Sequence, residues 1–247
     1  MLVLVGISVD DLICEQLATK IRRWITPSPE TVDAGPTAWT EVHGAMSRRV
    51  YRDPGKLKGK SAPVPLELVR SFVNTKYGRR HNELTTAGQL RTWLFRHGLL
   101  DKSATVTEGD LRRALEVREA IRALLRANMG GQPDADCITA LNNTARNAPL
   151  RALFDRSGNA RLTPDIGGVD GALALILSVV VMAMVNGTWV RLKACRNTPC
   201  QFAFFDRSRN RSAVWCSMSI CGNRLNSRLY RRRHGKAGRR LKGRRTY

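Results

Sequence analysis

The chain has 247 residues, 43% of them apolar, which is enough for one sizeable core plus a small satellite module and too apolar for a disordered chain. Its formal net charge of +22, from 42 Lys or Arg against 20 Asp or Glu, favours polyanionic partners such as nucleic acid over neutral ones. The excess is local: residues 191–247 hold 17 Lys or Arg and one acid, Asp206, so +16 of the charge lies in this last quarter and +6 in the other 190 residues.

At the N-terminus, Met1 to Ile7 is apolar but too short for the core of an export signal, and it runs straight into Asp10 and Asp11, so a cytoplasmic location is expected. Asp10 to Ile25 has an amphipathic helical pattern (Leu12, Ile13, Leu17, Ile21, Trp24), broken by the Pro, Thr, Ser and Gly of Thr26 to Thr37. Arg48 to Lys60 is a basic, Gly-containing linker. Residues 1–62 therefore read as an accessory extension and linker.

From Pro63 the helical signals become regular. Leu66, Val69, Phe72 and Val73 make one apolar stripe; Thr85 or Thr86 opens a second helix that carries Leu90, Trp93 and Leu94 and stops at Gly98. The capping box Thr107-Glu108-Gly109-Asp110 opens a third, running through Leu111, Leu115, Ile121, Leu124 and Leu125 to Gly130-Gly131. Asp134 to Asn147 reads as a shorter helix, and the alternation of Leu150 to Leu162 around Ser157-Gly158-Asn159 as a β-hairpin. The apolar run Ala172 to Val185 has 14 residues, short of the roughly 20 that span a bilayer, so Val169 to Val190 is expected to be a buried helix surrounded by the others, with no membrane partner. Beside the first stripe, Asn74, Thr75 and Arg79 are candidate ligands for a small-molecule effector; the competing reading is local hydrogen bonding of Asn74 and Thr75 at a helix end.

Cys195, Cys200, Cys216 and Cys221 form two C-x4-C pairs separated by 15 residues. In a reducing compartment such pairs favour metal over disulfides, and four thiolates suit one structural Zn2+ ion. Cys14 and Cys137 have no such neighbours and read as isolated thiols. Phe202 to Asp206 and Ser212 to Cys216 are strand-like around the polar turn Arg207-Ser208-Arg209-Asn210, so a hairpin between the ligand pairs is expected. Cys221 then opens a helix, with Gly222 letting the backbone approach the metal. The predicted fold class is mainly α: a helical domain with a small β-hairpin (63–190), a treble-clef-like zinc module of hairpin plus helix (191–235) and a basic flexible tail (236–247).

At 100° per residue, Arg224, Arg228, Arg231 and Arg232 share an arc of about 100°, with Leu225 and Leu229 on the neighbouring side. Such a row suits phosphates along a groove, and arginine also reads guanine edges. A complete four-cysteine shell leaves no open position for water, and His43, His81, His97 and His234 lie in no metal or nucleophile motif, so an enzyme is not expected. His97, just before Gly98, is expected to be favoured by the helix dipole.

Cys195-x4-Cys200, Phe204-Phe205-Asp206-Arg207-Ser208, Trp215-Cys216-x4-Cys221 and above all Cys221-Gly222-Asn223-Arg224 resemble the CGNR zinc-finger family of bacterial proteins. Phe72-Val73-Asn74-Thr75 and the helix with Trp93 followed by Gly98-Leu99-Leu100 resemble its companion helical domain, the ABATE domain, described as a stress-induced transcription regulator. The resemblance runs from Pro63 to His234. It implies a bacterial regulator whose four cysteines bind zinc and whose module binds DNA. One position departs: the family commonly has Lys two residues after the motif arginine, where this chain has Asn226, while Arg228, Arg231 and Arg233 stand where the family is basic.

The leading expectation is a DNA-binding transcription regulator contacting DNA through Arg224, Arg228, Arg231, Arg232 and Arg233, with a homodimer as one arrangement. The alternatives are a small-molecule sensor with the zinc module as its output, and an RNA- or ribosome-associated protein in which Phe202, Phe204, Phe205 and Trp215 stack on bases instead of packing round the metal.

Overall fold

The computed structural model describes residues 61–228 and 230–232. The amphipathic segment 10–25, the linker 48–60, Cys14, His43, Arg233, His234 and the tail 236–247 lie outside the described residues, as does the side chain of Leu229.

Helix α1 (Leu66–Val73) is buried along its whole length. Its two charged residues are accommodated because Glu67 and Arg70 pair at 2.5 Å and Glu67 also accepts from the Ala62 N–H at 2.6 Å. The two-residue strands β1 (Lys76–Tyr77) and β2 (His81–Asn82) follow as an antiparallel hairpin that turns at Gly78, whose φ of +63° favours glycine. Helix α2 (Ala87–Arg96) starts at a Thr86–Gln89 capping box, and Gly98, at φ +67°, turns the chain away after its end. Helix α3 (Glu108–Ala127) is set by the Thr107–Asp110 box, and α4 (Ala135–Asn147) by Asp134 accepting from the Cys137 N–H. Strands β3 (Leu150–Phe154) and β4 (Ala160–Pro164) pair antiparallel with Phe154 opposite Ala160, and lead into α5 (Gly168–Val185).

The core lies where α1, α2, α3 and α5 meet: Val69, Phe72, Leu90, Leu94, Ile121, Leu125, Leu173 and Ile176 are all fully enclosed. Among the described residues α5 is the one helix long and apolar enough to cross a membrane, yet it is packed against α1, α3, α4 and β4. The expected helix from Val169 to Val190, enclosed on every side, needs two corrections. It ends at Val185 because Asn186 and Gly187 (φ +73°) turn the chain into a short 3-10 turn, Trp189–Arg191. Towards that end Val181, Met184 and Val185 are exposed, so α5 is enclosed along its N-terminal part and open on one side of its last turns.

The hairpin of the cysteine-rich region is also not the expected one. Strand β5 (Leu192–Ala194) pairs with β6 (Ala203–Phe205), Leu192 opposite Phe205 and Ala194 opposite Ala203. It therefore flanks the first cysteine pair instead of joining the two pairs, and residues 212–216 form no strand. The reason is burial: Leu192, Ala194, Ala203 and Phe205 all enter the core of the helical body, whereas Arg211, at φ +52°, turns the chain out of an extended course. The cysteine-rich region is thus built onto the helical core and shares it.

Candidate metal centre and arginine helix

Backbone hydrogen bonds bring the four cysteines to one point. Past β5 the chain folds back on Asn197, whose carbonyl accepts from the Cys200 N–H at 2.7 Å and the Gln201 N–H at 3.2 Å. On the other side Ser217 caps a π-turn (Met218–Gly222), its hydroxyl accepting from Ile220 N–H and its carbonyl from the N–H groups of Cys221 and Gly222. All four sulfurs lie within 4.8 Å of one another. Cys200 to Cys216 and Cys216 to Cys221 are each 3.7 Å apart, close to the roughly 3.8 Å edge of a tetrahedron with Zn–S bonds of about 2.3 Å.

Contacts among the thiols themselves push their pKa values apart. Cys200 and Cys216 draw the Cys195 thiol down to about 2, while Cys195 in turn holds Cys200 up at about 12 and, with Cys200, raises Cys216 as well. Such a cluster shares protons when left to itself, and a divalent cation is what lets all four sulfurs ionise together. Asn197 Nδ2 adds a donor 3.5 Å from Cys221 Sγ. Cysteines 195, 200, 216 and 221 hold one structural zinc ion. Gly222 also leaves room for its neighbours: a Cβ there would displace the Met218 side chain and come within 3.2 Å of Trp215 Cδ1.

The first half of this centre is bound tightly to the helical body. The Gly78 N–H donates to the Cys200 carbonyl at 2.7 Å. Arg122, on α3 and 2% exposed, donates to the carbonyls of Gln201 (2.8 Å), Val73 (2.7 Å) and Lys76 (2.7 Å), and to Glu119 at 3.0 Å. The Asn74 amide pairs with both backbone groups of Ala203, at 2.9 and 2.7 Å. Thr75 donates to the Phe72 carbonyl and accepts from Arg118. Both residues are buried and spend these groups inside the protein, Thr75 on Phe72 and on Arg118 across 43 residues, Asn74 across 129 residues. Arg79 does line a cleft of about 280 Å³ between the β1 turn, α3 and the first zinc loop, together with Lys76, Glu119, Thr198 and Gln201.

A family model described as "Putative stress-induced transcription regulator", the ABATE domain, matches residues 64–186, and the CGNR zinc finger matches residues 191–234. The chain is a CGNR zinc-finger protein with an ABATE domain. A search of curated proteins finds no match. The boundary between the two matches falls on the turn after α5, yet the packed core runs across it through Leu192, Ala194, Ala203 and Phe205.

The second half of the CGNR finger faces outward. Cys221 sits in the π-turn that leads directly into α6, helical over residues 223–228 and 230–232. Arg224, Arg228, Arg231 and Arg232 are exposed on it, Leu225 is half-buried, and Arg231 Nε donates to the Ser227 carbonyl. Phe202, Phe204 and Phe205 are buried and Trp215 is half-buried; Phe202 lies edge-on to Tyr77 at 4.9 Å and under Arg70 at 5.7 Å.

Arg122, Asn197 and Lys193 carried no reading in the sequence, and the pairing of Lys193 with Asp206 was not anticipated. Lys193 Nζ meets Asp206 at 2.8 Å, both side chains essentially excluded from solvent. Burial alone would raise the Asp206 carboxyl, but Lys193 and the donors of Ser208 and Ala213 outweigh it and hold it at about 2. The signal for it was visible, since Asp206 is the single acid among the 17 cations of residues 191–247.

Proposed function

We propose that this CGNR protein is a zinc-dependent, DNA-binding transcription regulator, in which zinc folds the C-terminal module and α6 contacts the duplex. One observation carries the reading: the last zinc ligand, Cys221, lies in the turn that starts the helix on which four arginines are exposed. Metal binding therefore fixes the direction of a cationic helix of a size that fits the major groove. DNA is favoured over single-stranded RNA because the three phenylalanines of the module are buried and closed to base stacking.

Selection from a random duplex pool with zinc-loaded protein, followed by titration at several salt concentrations, tests this. A common motif and a log-log salt slope of about −4 to −6, for roughly five or six phosphates, are expected. Arg228→Ala should weaken binding by about 1–3 kcal/mol and relax preference at one position if Arg228 reads a base; an equal loss on every sequence makes it a phosphate contact. Equal competition by structured RNA with no enriched motif would sink the regulator reading.

A further inference from the structure

The zinc module holds a second, separate cationic feature, and it is built with more care than an exposed loop requires. Between β6 and Trp215 the chain runs through Arg207-Ser208-Arg209-Asn210-Arg211, whose three arginines and Asn210 are exposed. Beneath them Asp206 is fully buried. One of its carboxylate oxygens accepts from the Ser208 N–H (2.9 Å) and the Ser208 hydroxyl (2.6 Å); the other accepts from Lys193 Nζ (2.8 Å) and the Ala213 N–H (2.9 Å). Lys193 Nζ also donates to the carbonyls of Arg211 and Ala213. Arg191 Nη1 closes the base of the loop on the carbonyls of Asp206 (3.1 Å) and Ser208 (3.0 Å).

Two features of this arrangement are costly for a mere connection. A buried Lys–Asp pair adds little stability over an apolar pair of the same size, because desolvation consumes most of the attraction, so its return is a single fixed geometry. Arg211 is held at φ +52°, a left-handed conformation that disfavours a side chain bearing a Cβ. What this fixed geometry presents is guanidinium groups. Arg207 is drawn back over Phe205 and onto the Ser61 carbonyl, but Arg209 and Arg211 have no acidic partner among the described residues.

We propose that the loop 207–211 is a second nucleic-acid contact, in which Arg209 and Arg211 clamp backbone phosphate and the buried Asp206–Lys193 pair positions them. This rests on the reading that the protein binds nucleic acid, and adds to α6 a contact held by the docked half of the module. Two guanidiniums on a preformed loop suit phosphate oxygens, which they meet without the ordering cost of a flexible tail. Asp206 and Lys193 are positioning residues and touch no phosphate.

The test uses the full-length, zinc-loaded chain and a random-sequence 20-base-pair duplex at several salt concentrations. Arg209→Ala with Arg211→Ala should lower affinity at least tenfold at low salt and make the log-log salt slope shallower by about 1.8, for two phosphate contacts, with zinc content and melting temperature unchanged. A double variant of exposed body arginines, Arg91→Ala with Arg112→Ala, removes the same charge and should leave the slope unchanged. Asp206→Asn should reproduce part of the loss of slope at full zinc occupancy. If Asp206→Asn does not fold, the arginine pair alone decides. An unchanged slope in the loop variant, or an equal change in the body variant, overturns the proposal while α6 remains a contact. Failure of the unaltered protein to bind any duplex overturns this proposal and the regulator reading together. An unchanged slope on duplex accompanied by lost binding to anionic vesicles would replace nucleic acid by a membrane surface.

Discussion

The two halves of the zinc module are built on opposite principles. Between Leu192 and Asp206 the two strands and their ends face inward, with only the loop 196–201 partly or fully exposed: Ala203 and Phe204 are fully enclosed, and Leu192, Ala194 and Phe205 belong to the core of the ABATE body. From Met218 to residue 232 the described residues are exposed apart from Cys221, Gly222 and Leu225. Cys195 and Cys200 come from the docked half, and Cys216 and Cys221 from the turn that opens the exposed helix, so the metal is the joint by which a rigid, docked platform holds an exposed cationic helix. A helix of about ten residues has little stability by itself in water. Its direction is therefore inherited through the metal from the docked half, and through that half from Arg122, Asn74 and Gly78.

Breaking the joint should separate the halves and produce the largest effect. Cys216 lies 3.7 Å from both Cys200 and Cys221, and its replacement by serine removes the sulfur common to those two contacts. Structural zinc is worth roughly 10 kcal/mol or more of apparent folding free energy in small modules. Cys216→Ser is expected to bind no stoichiometric zinc, and hydrogen exchange should show residues 217–228 losing protection while 192–206 keep most of theirs. Equal loss in both halves would show that they fold as one cooperative unit and would end the distinction. Retained stoichiometric zinc would overturn the assignment of four thiolate ligands.

The next effect is expected from the platform side. Arg122→Ala leaves the buried carbonyl of Val73 and the part-buried carbonyls of Lys76 and Gln201 without this donor and Glu119 without one of its two arginines. One buried and several part-buried groups stranded in this way cost about 3–5 kcal/mol together. Denaturant unfolding of the zinc-loaded protein should show that loss while zinc stoichiometry is maintained. A loss below about 1 kcal/mol would mean that apolar packing through Leu192 and Phe205 holds the platform without this cluster.

Legibility in the sequence followed the same division. The capping boxes at Thr86 and Thr107 and the alternation around Gly158 specify local structure, and α2, α3 and the β3–β4 hairpin were readable from them because every interaction involved lies within a few residues. The C-x4-C pairs were readable because zinc chemistry imposes the spacing. The platform was not readable, since its contacts are long-range: Asn74 finds Ala203, and Arg122 finds Gln201. Arg122 also looks like any helix-surface cation, in a row with Arg118 and Arg126 at four-residue intervals. The hairpin was misplaced because β5 has only three residues, too few to show alternation, while 212–216 looks equally extended. Local pattern offered two partners for β6, and burial chose between them.

Acid should separate the body from the metal joint, by the smallest of these effects. His97 ends α2 with its ring stacked on Trp93 at 3.9 Å and Nδ1 2.8 Å from the Trp93 carbonyl. The helix dipole was expected to favour its charged form. Burial instead lowers its pKa below 6.5, with Arg96 acting in the same direction, and the Trp93 carbonyl and Glu83 oppose this without overcoming it. The unfolded chain therefore binds this proton more readily than the folded one. The contribution to stability is complete above about pH 6.5 and is lost as pH falls through the lowered value. Zinc thiolates also protonate in acid, so global unfolding would mix the two processes. Hydrogen exchange in α2 isolates the body: its protection should decline from pH 7.5 to 5.5 in the native protein and decline less in His97→Gln, with zinc release following the same pH course in both. If the α2 decline is the same in His97→Gln, it is driven from the metal joint across the shared core, and the helical body and the docked half behave as one unit towards acid.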